Sequence, residues 1–495
     1  MPGARDASRG SGLLAELKKL RADVDAGARA LLANWESRIL QPGFHERALN
    51  LAHYIILRRL DLRGLQDQLT LLGLSSLGRL EGRVIANLDA VIAALGAITG
   101  DPEPSPFPDV EAMLHGHALT RANADQALGP CPGLRSVRLM VTVPTEAAKD
   151  PDLALALLDH GADVLRINCA HDSPETWDAM IANIREAEHA LQRRVRILMD
   201  LAGPKCRTGE VKAAKGCKRL HPGDKFLLVR DQFQPLESWP VQARCTLPSG
   251  FGQLRFGAPL WIDEGRLGGV VRMVLPEGAV VEVLAAPPRG MKLKPDKGLN
   301  FPDTELGVAP LTAKDLADLD FVATRADLVG YSFVQGAEDI ARLQAELAAR
   351  VGEQRAAAIG IVAKIETPRA VRNLPEIIVQ AAGRQPFAIM IARGDLGVEI
   401  GFARLAEIQE EILWLCEAAH VPVIWATGVL NGLIKAGQPN RGEMTDAAMS
   451  ARAECVMLNK GPHVLEALQC LDDLFVRMAE HQQKKTPRLR ALKSW

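Results

Sequence analysis

The chain has 495 residues, which at a typical ~150 residues per domain corresponds to about three domains. Its 47% hydrophobic and 24% charged residues are typical of a soluble globular protein. The net charge of −1 and an aromatic content of 4% argue against nucleic acid as a partner, since that role favours basic surfaces and stacking side chains.

The eight cysteines occur singly, in no CxxC or zinc-binding spacing. Such isolated thiols are typical of a reducing compartment. The first residues, "MPGARDASRGSG", are polar and lack the apolar core of a signal peptide. No stretch approaches 18 uninterrupted apolar residues, so we expect a cytoplasmic protein without a membrane span.

The first quarter of the chain predicts helices. Leucine and alanine recur at helical spacing from about residue 12 to about residue 100. Two breaks follow, "DPEPSPFPD" at 101–109 and "GPCPG" at 129–133. We therefore expect an α-helical N-terminal domain at residues 1–133. At the other end, residues 481–495 are predicted to form a basic tail.

After residue 133 short apolar runs alternate with helical segments. The eight runs are "SVRLMVTV", "DVLRINC", "RVRILMDL", "DLVGYSFV", "AAIGIVAKIE", "FAIMIARG", "VPVIWAT" and "CVMLNK". Most are continuously apolar, as expected of parallel strands that are covered on both faces. Eight such repeats predict an α/β fold, a (β/α)8 TIM barrel, formed by residues 134–204 and 297–480.

The third and fourth predicted strands are separated by a segment of different character. Residues 205–296 contain the β-prone fragments "KFLLV", "PLWID", "GVVRMVL" and "AVVEVLA", divided by Gly and Pro. This pattern predicts an inserted small β-barrel domain. Active sites of TIM barrels lie at the C-terminal ends of the strands, so an insert at this position would lie over the site like a lid.

Polar residues follow most of the predicted strands, at the end where a barrel has its active site. In chain order they are Arg166, Asn168, His171, Asp200, Lys205, Arg207, Ser332, Gln335, Lys364, Glu366, Arg393, Asp395, Thr427, Asn459 and Lys460. Glu366 and Asp395 could share a divalent cation such as Mg²⁺, which takes one or two protein carboxylates. The cations would bind phosphate or carboxylate, and the glycines of "ARGDLG" allow close backbone approach to an anion. This set is typical of phosphoryl transfer.

Each group also has a simpler interpretation. Lys364 and Glu366 lie two residues apart on a strand and could pair only with each other. Thr427 could be an ordinary β-forming residue, and His171 could cap the segment "DSPETW". The functional interpretation rests on the coincidence of many such residues at the strand ends. The chain contains no GxxxxGK[ST] motif, which excludes a P-loop nucleotide site.

Between about residues 137 and 475 the chain resembles the pyruvate kinase family. The resemblance lies in "VTVPTEA", "VLRINCAHD", "MDLAGPKCRTG", "KGLNFP", "AKIETPRAVRNLPEII", "ARGDLGVEI", "WATGVL" and "RGEMTDAAMSARAECVML", in the family's order. It implies transfer of the phosphoryl group of phosphoenolpyruvate to ADP, giving pyruvate and ATP. It also implies Mg²⁺ or Mn²⁺ as cofactor and an inserted β domain at this position.

The resemblance further implies individual roles. Arg166 would bind the substrate phosphate, and Lys364 would stabilise the phosphoryl group during transfer. Glu366 and Asp395 would hold the divalent cation, and Asp395 also lies at the substrate. Gly394 would bind the substrate carboxylate, and Thr427 would deliver the proton to the enolate. The residues expected at the nucleotide are Asn168, His171, Arg207 and Lys297.

Departures from the family concern the monovalent cation. Asn168 and Asp200 match two of its family ligands, but Ala170 and Leu201 replace the Ser and Thr. Lys205 replaces a glutamate, as it does in family members that work without K⁺. We therefore expect no K⁺ requirement, with the Lys205 ammonium as the monovalent-cation substitute, paired with Asp200.

Other departures leave alternatives open. Gly428 replaces a glutamine after Thr427, and "LNKGPHVLEAL" lacks the Ser and Glu that follow the family's eighth strand. The family's C-terminal domain has no counterpart in these 495 residues, and the helical N-terminal region has none in ordinary members. The alternatives are a non-catalytic phosphoenolpyruvate-binding sensor or scaffold, and a Mg²⁺-dependent aldolase or lyase that handles pyruvate enolate on the same barrel. A homo-oligomer is possible.

Overall fold

The computed structural model describes residues 3–131, 133–217, 219–484 and 486–487. The N-terminal region is helical, as predicted. Its five helices are α1 (Gly3–Ala33), α2 (Pro42–Arg58), α3 (Arg63–Leu71), α4 (Val84–Thr99) and α5 (Val110–Leu128). They share one apolar core with the helices that surround the barrel.

Eight parallel strands close into a barrel, which confirms the predicted fold class. They are β1 (Arg138–Thr142), β2 (Val164–Asn168), β3 (Arg196–Asp200), β11 (Leu328–Tyr331), β12 (Gly360–Ile365), β13 (Phe387–Ala392), β14 (Val423–Ala426) and β15 (Cys455–Leu458). Every residue of β1, β11, β13, β14 and β15 is buried, as expected of parallel strands covered on both faces. Each strand lies within one of the eight apolar runs.

Helices surround the barrel. They are α6 (Pro151–Asp159), α7 (Pro174–Leu191), α8 (Ala313–Arg325), α9 (Ala337–Ala358), α10 (Pro368–Arg372), α11 (Leu374–Ala382), α12 (Arg393–Ile400), α13 (Phe402–Ala418), α14 (Asn431–Ala436), α15 (Arg441–Ser450) and α16 (Val464–His481). Local sequence sets their starts: proline occupies the first turn of α6, α7 and α10, and a capping box precedes α8 and α15. A short hairpin, β16 (Gln482–Gln483) and β17 (Thr486–Pro487), ends the described chain.

The segment between β3 and β11 forms a second sheet of seven strands. They are β4 (Thr208–Ala213), β5 (Lys225–Val229), β6 (Val241–Cys245), β7 (Pro259–Ile262), β8 (Leu267–Leu275), β9 (Gly278–Ala285) and β10 (Leu299–Asn300). This sheet has its own apolar core, separate from that of the barrel. We call it the lid. Its last strand, β10, pairs antiparallel with β7 and therefore belongs to the lid sheet. The lid thus extends slightly beyond the predicted insert, which ended at residue 296.

The helical N-terminal region covers one side and one end of the barrel. Ala127 and Leu128, at the end of α5, share a buried cluster with residues of the barrel strands. Asn50 and Asn123 donate hydrogen bonds to the carbonyls of Ala418 (2.8 Å) and His420 (2.7 Å), where α13 ends. Because these carbonyls have no partners within their own helix, the N-terminal region satisfies them.

One helical segment, Glu81–Thr99, has the length and hydropathy of a membrane-crossing helix, with a mean hydropathy of 1.4. In the structure 44% of that window is buried, and Leu88, Val91 and Leu95 belong to the main apolar core. Core helices of soluble proteins have the same composition.

Candidate active site

A cavity of about 280 Å³ lies at the C-terminal ends of the barrel strands, between the barrel and the lid. Ten of the fifteen strand-end residues named from the sequence line it, whereas His171, Asp200, Gln335, Arg393 and Lys460 are not among its lining residues. Its lining includes Arg166, Asn168, Lys205, Arg207, Ser332, Lys364, Glu366, Gly394, Asp395, Thr427 and Asn459. From the lid, Glu264 also reaches it. Barrel closure is the cause, since it brings the ends of separate strands to one rim.

Asp200, fully buried at the end of β3, connects two cations in this cavity. Its Oδ2 accepts a hydrogen bond from Arg166 Nε at 2.8 Å and lies 3.4 Å from Lys364 Nζ. Arg166 also donates to the Thr142 hydroxyl (2.9 Å), and Lys364 to the Ser332 hydroxyl (2.7 Å). The network fixes both cations at the cavity wall, where they can meet an anion.

Charges across this network set the protonation states. Burial alone would raise the pKa of Asp200, but Lys364 and Arg166 outweigh it and bring that pKa below its ordinary value. Burial would lower the pKa of Lys364, but Asp200 and Glu366 outweigh that effect and raise it. At neutral pH the site therefore holds an ionised carboxylate between two cations.

Glu366 and Asp395 are suited to one divalent cation. Burial raises the pKa of Glu366, Lys364 opposes the rise, and the nearby charge of Asp395 adds to it. Two neighbouring carboxylates repel each other and gain from a shared cation. Among the described residues no group of three or more His, Cys, Asp or Glu could hold a metal. This pair fits Mg²⁺, which completes its shell with water and substrate oxygens.

Lys205 does not pair with Asp200, which corrects the sequence prediction. Its Nζ lies 2.8 Å from Asp395 Oδ2. Asp200 is already occupied at Oδ2 by cations from β2 and β12, while Lys205 lies beyond the Gly203–Pro204 turn, on the rim next to α12. The other oxygen of Asp200, Oδ1, is buried without a hydrogen-bond partner in the described structure.

Gly394 lies in the first turn of α12, where backbone N–H groups have no partners within the helix and favour an anion. Its α-carbon packs closely on Thr427: a β-carbon at 394 would come within 2.7 Å of Thr427 Cγ2. Glycine is therefore required here by close approach, and not by positive φ. Thr427 itself has a φ of 69°, in the left-handed region that β-branched residues rarely adopt.

The residues predicted for the nucleotide are separated. Arg207 lines the main cavity and pairs with Asp296 at 3.2 Å. Asn168 lines both the main cavity and an adjacent one of about 230 Å³, which His171 and Lys460 also line. Lys297 lines neither, because its Nζ is held by Asp263 of the lid at 2.9 Å.

Sequence reasoning missed several residues of the site. Thr142 ends β1 and is bound by Arg166, and its position at a strand end was an available signal. Phe333 donates its backbone N–H to Glu366 at 2.6 Å, and Glu399 accepts a hydrogen bond from Asn300 of the lid at 3.0 Å. No short-range pattern indicates these contacts, since each joins separate elements.

Fold and site together define a lidded TIM-barrel protein with paired carboxylates and clustered cations, the equipment of phosphoryl transfer. The family model described as pyruvate kinase, barrel domain, matches residues 134–462. The pyruvate kinase of Agrobacterium vitis is 32% identical over 357 residues, covering 70% of this chain and 69% of that protein. That of Geobacillus stearothermophilus is 31% identical (69% and 57% covered), and that of Methylorubrum extorquens 34% (66% and 64%).

The chain therefore belongs to the pyruvate kinase family of enzymes. Members of this family transfer the phosphoryl group of phosphoenolpyruvate to ADP, generally use Mg²⁺ and are generally soluble glycolytic proteins. The chain spans 57% to 69% of the length of these three relatives.

Proposed function

We propose that this protein is a K⁺-independent pyruvate kinase that converts phosphoenolpyruvate and ADP to pyruvate and ATP in the cytoplasm. The observation that carries the proposal is the network of Arg166, Asp200 and Lys364, beside the carboxylate pair Glu366 and Asp395, in one cavity below the lid. These are the groups that an anionic substrate and a divalent cation require.

The two cations have separate tasks. Arg166 is held by Thr142 and Asp200, which fixes its guanidinium at the cavity wall, where it can bind a phosphate. Lys364 keeps its charge despite burial, because Asp200 and Glu366 raise its pKa. Its ammonium can therefore stabilise the negative charge of the phosphoryl group in transfer.

The opposite wall of the cavity handles the carboxylate end and the proton. Backbone N–H groups at Gly394 bind the substrate carboxylate at the start of α12. Thr427, in contact with Gly394, lies where the enolate left by phosphoryl transfer receives its proton. The nucleotide approaches along Asn168, His171 and Arg207, with Lys297 on the lid side.

A divalent cation at Glu366 and Asp395 would neutralise charge between substrate and nucleotide. Both carboxylates line the cavity. Lys205 forms an ion pair with Asp395, so one carboxylate has a cationic partner from the hinge of the lid.

Independence from K⁺ rests on the missing ligands. Ala170 and Leu201 offer no side-chain oxygen, and Lys205 supplies a fixed positive charge at the rim. The bare Oδ1 of Asp200 is the atom at which a monovalent cation would bind if one did. Activity measured against KCl at constant ionic strength, with a tetramethylammonium salt as the replacement, is expected to be flat. A rise of about tenfold or more with K⁺ would refute independence.

The experiment that tests the activity is a coupled assay with phosphoenolpyruvate, ADP and Mg²⁺ on wild type, Lys364→Met and a matched control. Lys364→Met is expected to lower kcat by about 10²–10³-fold, the usual effect of removing one transition-state donor. The control is Lys19→Met, since Lys19 is exposed on α1, away from the cavity, and forms an ion pair with Asp23. No turnover by folded wild type would refute the proposal.

The same experiment separates the two alternatives. A sensor or scaffold would bind phosphoenolpyruvate in calorimetry without forming ATP. An aldolase or lyase would release pyruvate from a larger acid without ADP.

A further inference from the structure

Arg393 follows β13 directly and begins α12, one residue before Gly394. Its side chain is 11% exposed, and it is not among the described residues that line the substrate cavity. The guanidinium carbon lies 4.7 Å from the centre of the Trp425 ring. A charged group that is this little exposed needs ionic or hydrogen-bonding partners, and the partners of Arg393 indicate its role.

The Arg393 guanidinium donates hydrogen bonds to the two carbonyls that flank the α-carbon of Thr427. Nε donates to the carbonyl oxygen of Ala426 at 2.9 Å, and Nη2 donates to that of Thr427 at 2.7 Å. These two carbonyls belong to the peptide units before and after the Thr427 α-carbon. Because each peptide unit is planar, fixing both units fixes φ and ψ of Thr427.

Thr427 needs such a restraint. Its φ of 69° is costly for a β-branched side chain, and the next residue, Gly428, is also left-handed with a φ of 85°. A conformation of this kind persists only when its surroundings impose it. Without the two hydrogen bonds, Thr427 would relax and shift its side chain in the cavity.

Asp446 completes the arrangement from α15. Its carboxylate accepts from Nη1 at 2.5 Å and from Nη2 at 2.9 Å. This bidentate pair sets the plane of the guanidinium, which a lysine cannot reproduce. The start of α15 is in turn set by the capping box of Asn440 and Glu443.

We propose that Arg393, oriented by Asp446, is a positioning residue that holds Thr427 in the left-handed conformation required for proton delivery. The inference rests on the proposed function, in which Thr427 delivers the proton to the enolate. Arg393 acts through Thr427 alone. Its loss therefore lowers kcat and leaves the KM values for phosphoenolpyruvate and ADP nearly unchanged.

A double-mutant cycle tests this coupling. Thr427→Ala is expected to lower kcat by about 100-fold, and Arg393→Lys by about tenfold, with KM values within about twofold of wild type. In the Thr427→Ala background, Arg393→Lys is expected to change kcat by less than about twofold, because the group it positions is gone. Equal losses in the two backgrounds, or an unchanged kcat in Arg393→Lys, would overturn the proposal.

A matched control separates positioning from general stability. Arg452 is 15% exposed and paired with Glu410, away from Thr427, so Arg452→Lys removes a comparable ion pair and should leave kcat unchanged. Crystal structures of wild type and Arg393→Lys supply a readout without catalysis: φ of Thr427 should leave the left-handed region in the variant. A positive φ of Thr427 in Arg393→Lys would refute the positioning role of Arg393, whether or not the protein turns over. A wild type without turnover would refute only the proposed function.

Discussion

At the scale of single residues, the charges of the site are arranged in two groups. Asp200 lies with Arg166 and Lys364 inside the barrel, and Lys205 lies with Asp395 at the rim. Asp200 of the inner group is fully buried, and in the proposed function this group binds the substrate phosphate. The outer group joins the segment that leads into the lid to Asp395, the carboxylate proposed to hold the divalent cation, so under that proposal a change at 205 would shift the cation.

Reversal of the charge at Lys205 tests the outer group. Lys205→Glu would place a third carboxylate beside Asp395 and Glu366, and we expect kcat to fall by about tenfold or more. Added K⁺ should restore little of the lost activity, because the side chains of Ala170 and Leu201 have no oxygen with which to bind it. Lys292→Glu, an equal reversal at an exposed position of the lid, serves as control. Near-wild-type rates for Lys205→Glu in K⁺-free buffer would show that Lys205 does not substitute for the ion.

At the scale of secondary-structure elements, α12 connects the site to the lid through Glu399. Its carboxylate accepts from Asn300 of β10 at 3.0 Å. Burial raises the pKa of Glu399 to about 7, with the Asn300 hydrogen bond opposing the rise and the charges of Asp395 and Asp303 adding to it. The folded protein therefore holds a proton there that the unfolded chain, with an ordinary glutamate pKa, releases.

This difference predicts how stability depends on pH. The contribution of protonated Glu399 is fully present below the ordinary glutamate pKa and is lost as pH rises through about 7. Glu399→Gln should therefore be more stable than wild type by about 1–3 kcal/mol at pH 8, and should match it near pH 4. Urea unfolding at several pH values measures this, with the exposed Glu407→Gln as control. A Glu399→Gln protein with the wild-type pH dependence would contradict the assignment.

The elements were largely predictable from sequence, but their cross-connections were not. Each barrel strand lies in an apolar run, and "KFLLV" is β5 residue for residue. The strands were predictable because continuous apolar runs and turn residues can be recognised within a short stretch of sequence. The partner of Lys205, the left-handed Thr427 and the partners of Arg393 depend on which elements barrel closure brings together. Strand ends indicated the catalytic candidates together with Asp200 and Arg393, but not which groups these side chains contact.

At the scale of the whole molecule, the helical N-terminal region is fastened to the barrel by polar contacts at the end of α13. Asn50 donates to the carbonyls of Glu81 (2.7 Å) and Ala418 (2.8 Å) and accepts from the Val84 N–H (2.9 Å). One side chain thus joins two segments of the N-terminal region to a barrel helix.

Removal of this side chain should weaken the attachment. Asn50→Ala removes one hydrogen bond from each of three backbone groups, and we expect a loss of about 2–3 kcal/mol in the free energy of unfolding. Hydrogen exchange should increase in α2, in the start of α4 and at the end of α13 together. Asn34→Ala, at an exposed position of the same region, should change neither quantity. Faster exchange confined to α2 would show that Asn50 does not couple the helical N-terminal region to the barrel.

The measurement that tests the central claim most directly is ³¹P NMR of the full chain with phosphoenolpyruvate, ADP and Mg²⁺ in K⁺-free buffer. Our account predicts that the phosphoenolpyruvate resonance disappears as the three ATP resonances grow, and that Lys364→Met abolishes this conversion on the same timescale. Unchanged spectra from folded wild-type protein, with and without K⁺, would contradict the assignment of phosphoryl transfer to this site.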